Sequence, residues 1–451
     1  MKYSNQEIKK ESQKLLTIGS PIIATQLISM GLNFTDTVMA GNLSALDLAA
    51  VAIGNAIYMP VAVFCMATLI AINPVVSQFL GARKFDEIGK SARQLFWLIL
   101  MLSIPAFFLL RNLDLVMIWM NVTPEIIPIA DGYLNAVSWG ILPLLIYAGV
   151  RYFSEGLSVT KPAMFVASGA LIINIGANYV LMYGKLGFPQ LGAIGTGYAT
   201  AIVSFFAAVA FVTFTAKFKP FKRFNIFERT KGPEWKYISE LIKVGVPNGI
   251  SSSMEVLLFA TVSLLMGTLS VKAAAAHQIA INVAATMFMI PFGLSLAISQ
   301  RVGFSIGQGS LEKARFRGFI GILICAGVMT FTAFLLFLFP EFIISIYTDD
   351  PEVTLVAVSL LFMAAVFQIS DGLQVGGFGA LRGLKDTRVP MFVNFISYWI
   401  IGFPVGYFLG IYIDYGPEGL WIGLICGLTV AAVLHNYRFN KLTKAESGLD
   451  Y

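Results

Sequence analysis

Charged residues are scarce in this sequence. Asp, Glu, Lys and Arg together make up 12% of the 451 residues, whereas a soluble globular protein carries about 25%. Hydrophobic residues account for 57%. A chain of this composition has too few polar side chains to cover its surface in water. The scarcity of charge therefore excludes an ordinary soluble domain and indicates a membrane protein.

Cysteine and histidine are also rare, with three Cys and two His in the chain. The three cysteines all lie inside apolar runs, which predicts neither a disulfide framework nor a cysteine zinc site. His277 and His435 are too few for a His-rich metal site, and a lone histidine is more often packed and hydrogen-bonded than a metal ligand. The segment 89–91, GKS, ends like a phosphate-binding loop, but Lys84 stands where that loop needs its first glycine. We therefore expect no resident cofactor and no ATP site.

Apolar runs of about 20 residues, the length that crosses a bilayer as a helix, occur twelve times along the chain. A backbone in lipid must satisfy its own hydrogen bonds, so runs of this length predict helices rather than barrel strands. The predicted spans are 15–40, 48–73, 94–110, 126–150, 163–183, 192–216, 238–268, 273–299, 318–340, 353–380, 390–412 and 419–437.

The basic residues lie mainly on one side of these spans. If the N-terminus is cytoplasmic, 28 of the 31 Lys and Arg residues fall on the cytoplasmic side, and only Arg111, Lys185 and Lys272 fall on the other. This asymmetry follows the positive-inside rule and predicts that both termini are cytoplasmic. The net charge of +6 is then explained by topology and anionic membrane lipid rather than by nucleic acid.

The two halves of the sequence repeat at a nearly constant offset. Pro21 corresponds to Pro247 at an offset of 226, Met164 to Met391 at 227, and further matches continue at 228. A unit of six spans is even, so both copies enter the membrane from the same side and form a parallel repeat. We therefore predict an all-α integral membrane protein with two six-helix lobes, 1–216 and 238–451, joined by a basic cytoplasmic linker, 217–237. A duplicated scaffold with no transport role is the alternative.

Three acids of the apolar runs are candidates for a function, namely Asp36, Glu255 and Asp371. An Asp at the centre of a spanning helix costs about 2.5–3.5 kcal/mol on insertion scales, so each acid should face water, a cation or a proton. None of them has an acidic counterpart in the other half, and Asp36 corresponds to Val262. The repeated scaffold does not need these acids, which favours a functional role. For Asp36, which lies near a helix end, an interfacial position is the alternative.

Neutral polar residues accompany the first acid. Asn174 and Asn178 are four residues apart, as are Thr196 and Thr200, so each pair shares one face of its helix. With Asp36 these side chains predict a hydrogen-bond network or a set of oxygen ligands around a cation. Ordinary polar packing between helices is the alternative.

Further candidates lie in the eighth span. Gln278 and Asn282 are polar residues four positions apart, and Phe288 stands between Met287 and Met289. Met and aromatic side chains form adaptable surfaces that suit varied ligands. We expect Gln278, Asn282 and Phe288 to line a substrate cavity, with core packing or lipid contact as the alternative.

The acids suggest how transport is driven. We predict that the ionisable residues inside the spans are acids alone, with neither Lys nor Arg, so that the cavity favours cations. If a cationic substrate and H⁺ or Na⁺ compete for the same carboxylates, loading one releases the other. This linkage is the basis of antiport.

Three stretches of the sequence resemble the multidrug and toxic compound extrusion (MATE) family. They are DTVMAGNLSALDLAAVAIG at 36–54, AAHQIA at 275–280 and LRGLKDTRVP at 381–390. The likeness covers essentially the whole chain and is strongest to the NorM-type bacterial branch. It implies a two-lobed antiporter of the bacterial inner membrane that exports organic cations, including dyes and fluoroquinolones, with Na⁺ or H⁺ as the coupling ion. We expect a monomer.

The resemblance also assigns residues. It implies a first-lobe cation or proton site, a possible Na⁺ site, at Asp36, Asn174, Asn178 and Thr196. Glu255 and Asp371 match the family's second-lobe cation-binding acids, which are the other possible Na⁺ site. Some NorM-type members have Tyr where this chain has Phe367, so a hydroxyl ligand is lost there, although the ring face can still contact a cation and line the cavity.

Two other functions remain open from the sequence. A flippase for lipid-linked saccharides belongs to the same broad superfamily, but its pyrophosphate cargo calls for Lys or Arg in the cavity. An intramembrane enzyme needs a nucleophile with a base, or metal ligands, inside the bundle.

Overall fold

The computed structural model of the protein describes residues 3–113, 117–118, 122–228 and 232–444. These residues form helices joined by turns and loops, and no strand occurs among them. The helices of the first half are α1 (Asn5–Gly41), α2 (Ala45–Leu69), α3 (Ile72–Gly81), α4 (Phe85–Leu110), α5 (Ile127–Ser138), α6 (Ile141–Gly156), α7 (Lys161–Tyr183), α8 (Ala193–Lys217) and α9 (Lys219–Lys222).

The second half contains the remaining helices, and one of its spans changes helix type along its length. That span starts as an α-helix, passes through the π-helical segments Ile396–Gly402 and Phe408–Tyr412, and has a short α-helix between them. The α-helices are α10 (Trp235–Leu269), α11 (Val271–Gly307), α12 (Leu311–Leu338), α13 (Pro340–Ser345), α14 (Pro351–Gly383), α15 (Arg388–Phe395), α16 (Phe403–Tyr407) and α17 (Gly416–Thr443).

Eleven helical segments in the described part of the chain are long and apolar enough to cross a membrane. A twelfth span results if α5 and α6, which are bent by 47° at a short break, are counted together. The predicted all-helical membrane architecture is confirmed. The helices extend beyond the apolar runs, since α1 begins at Asn5 and α4 begins at Phe85. The first turns of both helices are polar and carry no hydrophobic signal. The helix starts predicted from the sequence are therefore too late.

The sequence repeat has a structural counterpart at the start of α2 and α11. The Ser44 hydroxyl accepts a hydrogen bond from the Asp47 backbone N–H at 2.9 Å, and the Ser270 hydroxyl accepts one from the Ala273 N–H at 3.0 Å. Both serines are N-cap residues with extended backbone and lie 226 positions apart. In each half, a serine hydroxyl therefore accepts a hydrogen bond from a free backbone amide at the start of the corresponding helix.

Turns repeat as well. The left-handed backbone conformation occurs at three pairs of positions that are 226, 227 and 228 residues apart. These pairs are Arg83 with Gly309, Ser158 with Lys385, and Leu186 with Asp414. Non-glycine residues rarely adopt this conformation. Because this conformation recurs at the offsets of the sequence repeat, the two halves have turns of the same conformation at corresponding positions.

Contacts between Cα atoms divide the chain into two compact units. The first unit is Ala24–Gly249, and the second unit combines Met1–Ile23 with Ile250–Tyr451. Both divisions fall inside helices, close to the corresponding prolines Pro21 in α1 and Pro247 in α10. The predicted lobes 1–216 and 238–451 are delimited differently and stay a prediction. Of the predicted linker 217–237, residues 229–231 lie outside the described residues.

Six glycines allow two helical segments of the second unit to pack closely. Gly419, Gly423 and Gly427 are spaced by four residues on α17, so they share one face of that helix. Three glycines of the neighbouring span, also four apart, lie against them: Gly402, Gly406 and Gly410. A Cβ at Gly423 would lie 2.5 Å from the Gly402 carbonyl oxygen. Such small-residue faces are typical of membrane helices whose backbones touch.

The close approach predicts that Gly423→Ala destabilises the protein, because even one methyl group overpacks this contact at a typical cost of about 1–3 kcal/mol. We expect a lower unfolding midpoint in detergent, measured by loss of the monodisperse peak after heating. Gly327→Ala is the matched control, because a Cβ there meets no atom within 4 Å. Equal midpoints for the two variants would contradict the packing argument.

Candidate functional site

The Asp36 side chain in the first unit is held by two amides from one face of α7. Its Oδ1 atom accepts hydrogen bonds from Asn174 Nδ2 at 3.0 Å and from Asn178 Nδ2 at 2.6 Å. Asn178 Nδ2 also lies 3.2 Å from Asn174 Oδ1. The one-turn spacing that the sequence suggested therefore brings both amides to the same carboxylate.

Hydroxyl and carbonyl oxygens complete the surroundings of this carboxylate. The Thr200 side chain on α8 lies beside Asp36. Within the described part of the chain, Asn178 Oδ1 and Thr196 Oγ1 are buried without a hydrogen-bond partner, and Thr196 lies one turn before Thr200 on α8. A buried oxygen without a donor is costly unless a water molecule or a cation satisfies it. Carboxylate, amide and hydroxyl oxygens are also the ligands that hard cations prefer, so the residues present fit a cation as well as a proton.

Two tyrosines that sequence reasoning missed border the same site. Tyr58 on α2 and Tyr133 on α5 are buried and lie close enough to Asp36 to interact with it electrostatically. The Tyr133 ring packs on Gly54, where a Cβ would lie 2.9 Å from the ring atom Cε1. Isolated tyrosines in apolar helices carry no sequence signal, because their direction depends on helix packing.

A buried ion pair corrects one sequence expectation. Arg151 Nε lies 3.2 Å from Glu155 Oε1, and both side chains are buried in α6. The helix α6 continues to Gly156 rather than ending at residue 150, so the pair lies in the same helix as a predicted span. The expectation of spans without Lys or Arg, and with three acids alone, is wrong, because Lys243 and Glu240 also lie within the predicted span 238–268 and Asp131 lies within 126–150. Arg151 Nη2 also donates to Gln26 Oε1 at 2.9 Å. This bond attaches α1 to α6 ten residues before Asp36.

The second unit brings the other two acids together. Glu255 lies on α10 and Asp371 on α14, and the two carboxyl groups are close enough for electrostatic interaction. Asp371 is 1% exposed, and its Oδ1 has no hydrogen-bond partner among the described residues. An acid in this setting requires a proton or a cation to balance its charge.

Four residues were predicted to line a substrate cavity. Gln278 is exposed, whereas Asn282 and Phe288 are partly buried, and Phe288 stacks on Phe292 with ring centroids 5.7 Å apart. Phe367 is 4% exposed and packs edge-on against Phe259 and Trp421. Neighbouring rings therefore cover the Phe367 ring in this conformation. Their role in substrate binding stays a prediction.

His277 is a packed core residue. Its Nε2 atom lies 2.9 Å from Ser263 Oγ, and its Nδ1 atom accepts a hydrogen bond from Trp421 Nε1 at 3.2 Å. The side chain is 1% exposed. Both ring nitrogens thus have hydrogen-bond partners, as expected for a lone histidine that is packed in the core rather than bound to a metal. In the described ranges no group of three or more His, Cys, Asp or Glu side chains is placed to hold a metal ion.

Comparisons with known proteins bear on the whole chain. The MatE family model matches residues 21–180 and 247–408. The two matches begin 226 residues apart and end 228 apart, which are the offsets of the sequence repeat. The chain is 39% identical to the multidrug resistance protein MdtK of Yersinia pseudotuberculosis and 38% identical to that of Yersinia enterocolitica, over 96% and 97% of both chains, respectively.

Solved structures share the fold at low identity. A eukaryotic MATE transporter, AtDTX14, matches with a TM-score of 0.88 at 19% identity, over 97% of this chain and 98% of that one. An outward-facing multidrug resistance MATE family transporter also matches with a TM-score of 0.88, at 17% identity over 96% of both chains. Because the family model matches most of the sequence and relatives align across nearly all of it, the chain belongs to the MatE family, the MATE transporters.

Proposed function

We propose that the protein is a multidrug efflux transporter that exports organic cations, such as dyes and fluoroquinolone-like drugs, by antiport with Na⁺ or H⁺. The observation that carries this proposal is the setting of Asp36. Its carboxylate lies inside a membrane helix and accepts hydrogen bonds from neutral amides. No Lys or Arg in the described part of the chain forms an ion pair with it. The names of the relatives support multidrug export.

The electrostatics of Asp36 explain why ion and drug exchange. Neutral amide donors orient the carboxylate without cancelling its charge, so a mobile cation or proton is needed to do so. An organic cation that enters a cavity with the same acids competes for that charge. Each loaded species therefore favours release of the other, and this reciprocity is the thermodynamic requirement for coupling.

Two of the buried arginines, Arg151 and Arg301, argue against an anionic cargo. Arg151 is paired with Glu155, and Arg301 forms a bidentate pair with Glu11 at 2.6 Å for each contact. The charge of each guanidinium is therefore already balanced by an acid of the same compact unit. A flippase for lipid-linked saccharides would need such cations for its pyrophosphate, so we favour efflux of organic cations.

The remaining attributes belong to the same proposal. The chain is a multi-pass membrane transporter, and we place it in the bacterial inner membrane with both termini in the cytoplasm, following the distribution of Lys and Arg. It acts as a monomer among membrane lipids, without enzymatic activity, a bound cofactor, ATP or nucleic acid.

Proteoliposomes test the proposed antiport directly. We expect ethidium efflux to accelerate when an inward Na⁺ gradient or an inward H⁺ gradient is imposed separately, because the exported cation exchanges with the ion that enters. The measurement is ethidium fluorescence with DNA inside the vesicles. Efflux that responds to neither gradient would overturn the proposal.

A second prediction concerns Asp36 itself. Asp36→Asn removes the charge but keeps the size, so gradient-driven efflux should fall at least about tenfold, in the range of typical coupling energies. Asp349→Asn is the matched control, since that acid is exposed in a loop. The assay compares initial efflux rates at equal amounts of reconstituted protein. If Asp36→Asn matches the control variant in rate and coupling, Asp36 has a structural role only.

A further inference from the structure

A polar cavity of about 710 Å³ lies in the first unit, where α4 and α10 begin. The end of α3 and the turn that leads into α4 form one wall, and the first two turns of α10 form the other. The charged residues that line it are Arg83, Lys84, Asp86, Glu87, Lys236 and Glu240. None of them belongs to the site around Asp36, so the cavity has no part in the coupling described above.

Hydrogen bonds between α4 and the start of α10 hold the two walls together. Tyr237 Oη donates to Glu87 Oε2 at 2.9 Å. Two turns further along α4, Gln94 Nε2 donates to the Gly232 carbonyl oxygen at 3.1 Å, and Gln94 Oε1 accepts from the Glu234 N–H at 2.8 Å. The cavity is therefore built between helices that are fixed to each other.

The turn before α4 has basic side chains where the sequence repeat has small residues. Arg83 has a left-handed backbone with φ of 58°, and its counterpart, at an offset of 226, is Gly309 with φ of 73°. Glycine adopts this conformation without the strain that a side chain causes. The first half therefore carries an arginine at a position that suits glycine.

The next residue departs from the repeat in the same direction. Lys84 is the N-cap residue of α4 and makes no side-chain cap hydrogen bond. Its counterpart Ser310 accepts a hydrogen bond from the Lys313 N–H at 3.3 Å and caps α12. Departures from local preference are expected at functional sites, and both departures add a cationic side chain to the lining of the cavity.

The lining carries charges of both signs. Glu87 is paired with Lys90 at 3.0 Å. The other lining charges are the cations Arg83, Lys84 and Lys236 and the acids Asp86 and Glu240. Arg and Lys bind phosphate oxygens, and a carboxylate accepts hydrogen bonds from a primary ammonium group. Such a lining matches a ligand that carries a phosphate and an amine close together.

The position of the cavity along α10 indicates where this ligand comes from. Trp235, the residue before Lys236, is 64% exposed, and the apolar run of α10 starts at residue 238. An exposed Trp at the end of a spanning helix is typical of the level of the lipid headgroups. The distribution of Lys and Arg places this end at the cytoplasmic surface. Phospholipid headgroups surround the protein at this level.

We propose that this cavity binds the headgroup of a phospholipid with a phosphate diester and a primary amine, as in phosphatidylethanolamine. The basic side chains of the lining bind the phosphate, and Asp86 and Glu240 accept hydrogen bonds from the ammonium group. A choline headgroup has no N–H to donate and is recognised by open aromatic faces instead. The Phe85 ring in the lining already has the Arg223 guanidinium 4.9 Å from its centroid.

The test titrates lipids into full-length protein in detergent and follows the unfolding midpoint. The probes are phosphatidylethanolamine, phosphatidylcholine, phosphatidylglycerol, inorganic phosphate and soluble phosphoethanolamine. We expect phosphatidylethanolamine to raise the midpoint at a mole fraction about tenfold lower than the other two lipids need, because only its headgroup satisfies both signs of charge. The two soluble compounds should have no effect at the same concentrations.

The decisive variant combines Arg83→Gly with Lys84→Ser, which gives the turn the residues of the second half. Without lipid it should be at least as stable as the wild type, because the strain is removed and a cap is gained. Its half-maximal response to phosphatidylethanolamine should need about tenfold more lipid. Lys217→Ser with Lys219→Ser is the matched control, since it removes two exposed basic residues from the same predicted side of the membrane.

Three results would overturn the inference. One is an unchanged response of the Arg83→Gly, Lys84→Ser variant to phosphatidylethanolamine, or an equal loss in the control variant. Another is equal stabilisation of the wild type by phosphatidylglycerol or phosphatidylcholine, which shows that one half of the headgroup is not recognised. The third is stabilisation by inorganic phosphate or phosphoethanolamine alone, which identifies a site for a soluble ligand. All three are independent of whether efflux follows an ion gradient.

Discussion

A carboxylate in an apolar helix bundle is stable only when other groups replace the water it has lost, and the first unit is arranged around this requirement. Asp36 accepts hydrogen bonds from Asn174 and Asn178, which are neutral donors. A lysine or arginine in their place would neutralise the acid permanently. Amides orient the carboxylate and leave its charge to be balanced by a mobile species, which is what a coupling site requires.

The position of Asp36 also depends on how its helix is attached. Gln26 on α1 accepts a hydrogen bond from Arg151, whose charge is balanced by Glu155. This second contact lies ten residues, roughly 15 Å along the helix, from the amide pair. A hydrogen bond from an ion-paired arginine thus holds α1 at one level, while a charge without a permanent partner lies at another. The charged residues that attach helices to one another, Arg151 and Glu155, are therefore different from Asp36, the acid proposed to exchange ions.

The repeat divides structure from function in the same way. Both halves use a serine cap, left-handed turns at matching positions, and a glycine that lies against an earlier helix of the same half. For example, Gly156 lies against Val76 and Gly383 lies against Val302, which are the corresponding residues. The acids and the amide pair do not repeat. The two halves therefore share the caps, turns and glycine contacts that their backbones require. The acids and amides differ from one half to the other.

The sequence by itself determined the class of fold, because the free energy of transferring apolar and charged residues depends on composition and spacing alone. It also determined the repeat offset, the three isolated acids and the amide pair, since residues four apart share a helix face. Only the tertiary structure decided which helices face one another. It brought Tyr58 and Tyr133 close to Asp36 and buried the Arg151–Glu155 pair in α6. These placements depend on helix bends and glycine contacts between segments far apart in sequence, and such contacts have no local hydrophobic pattern.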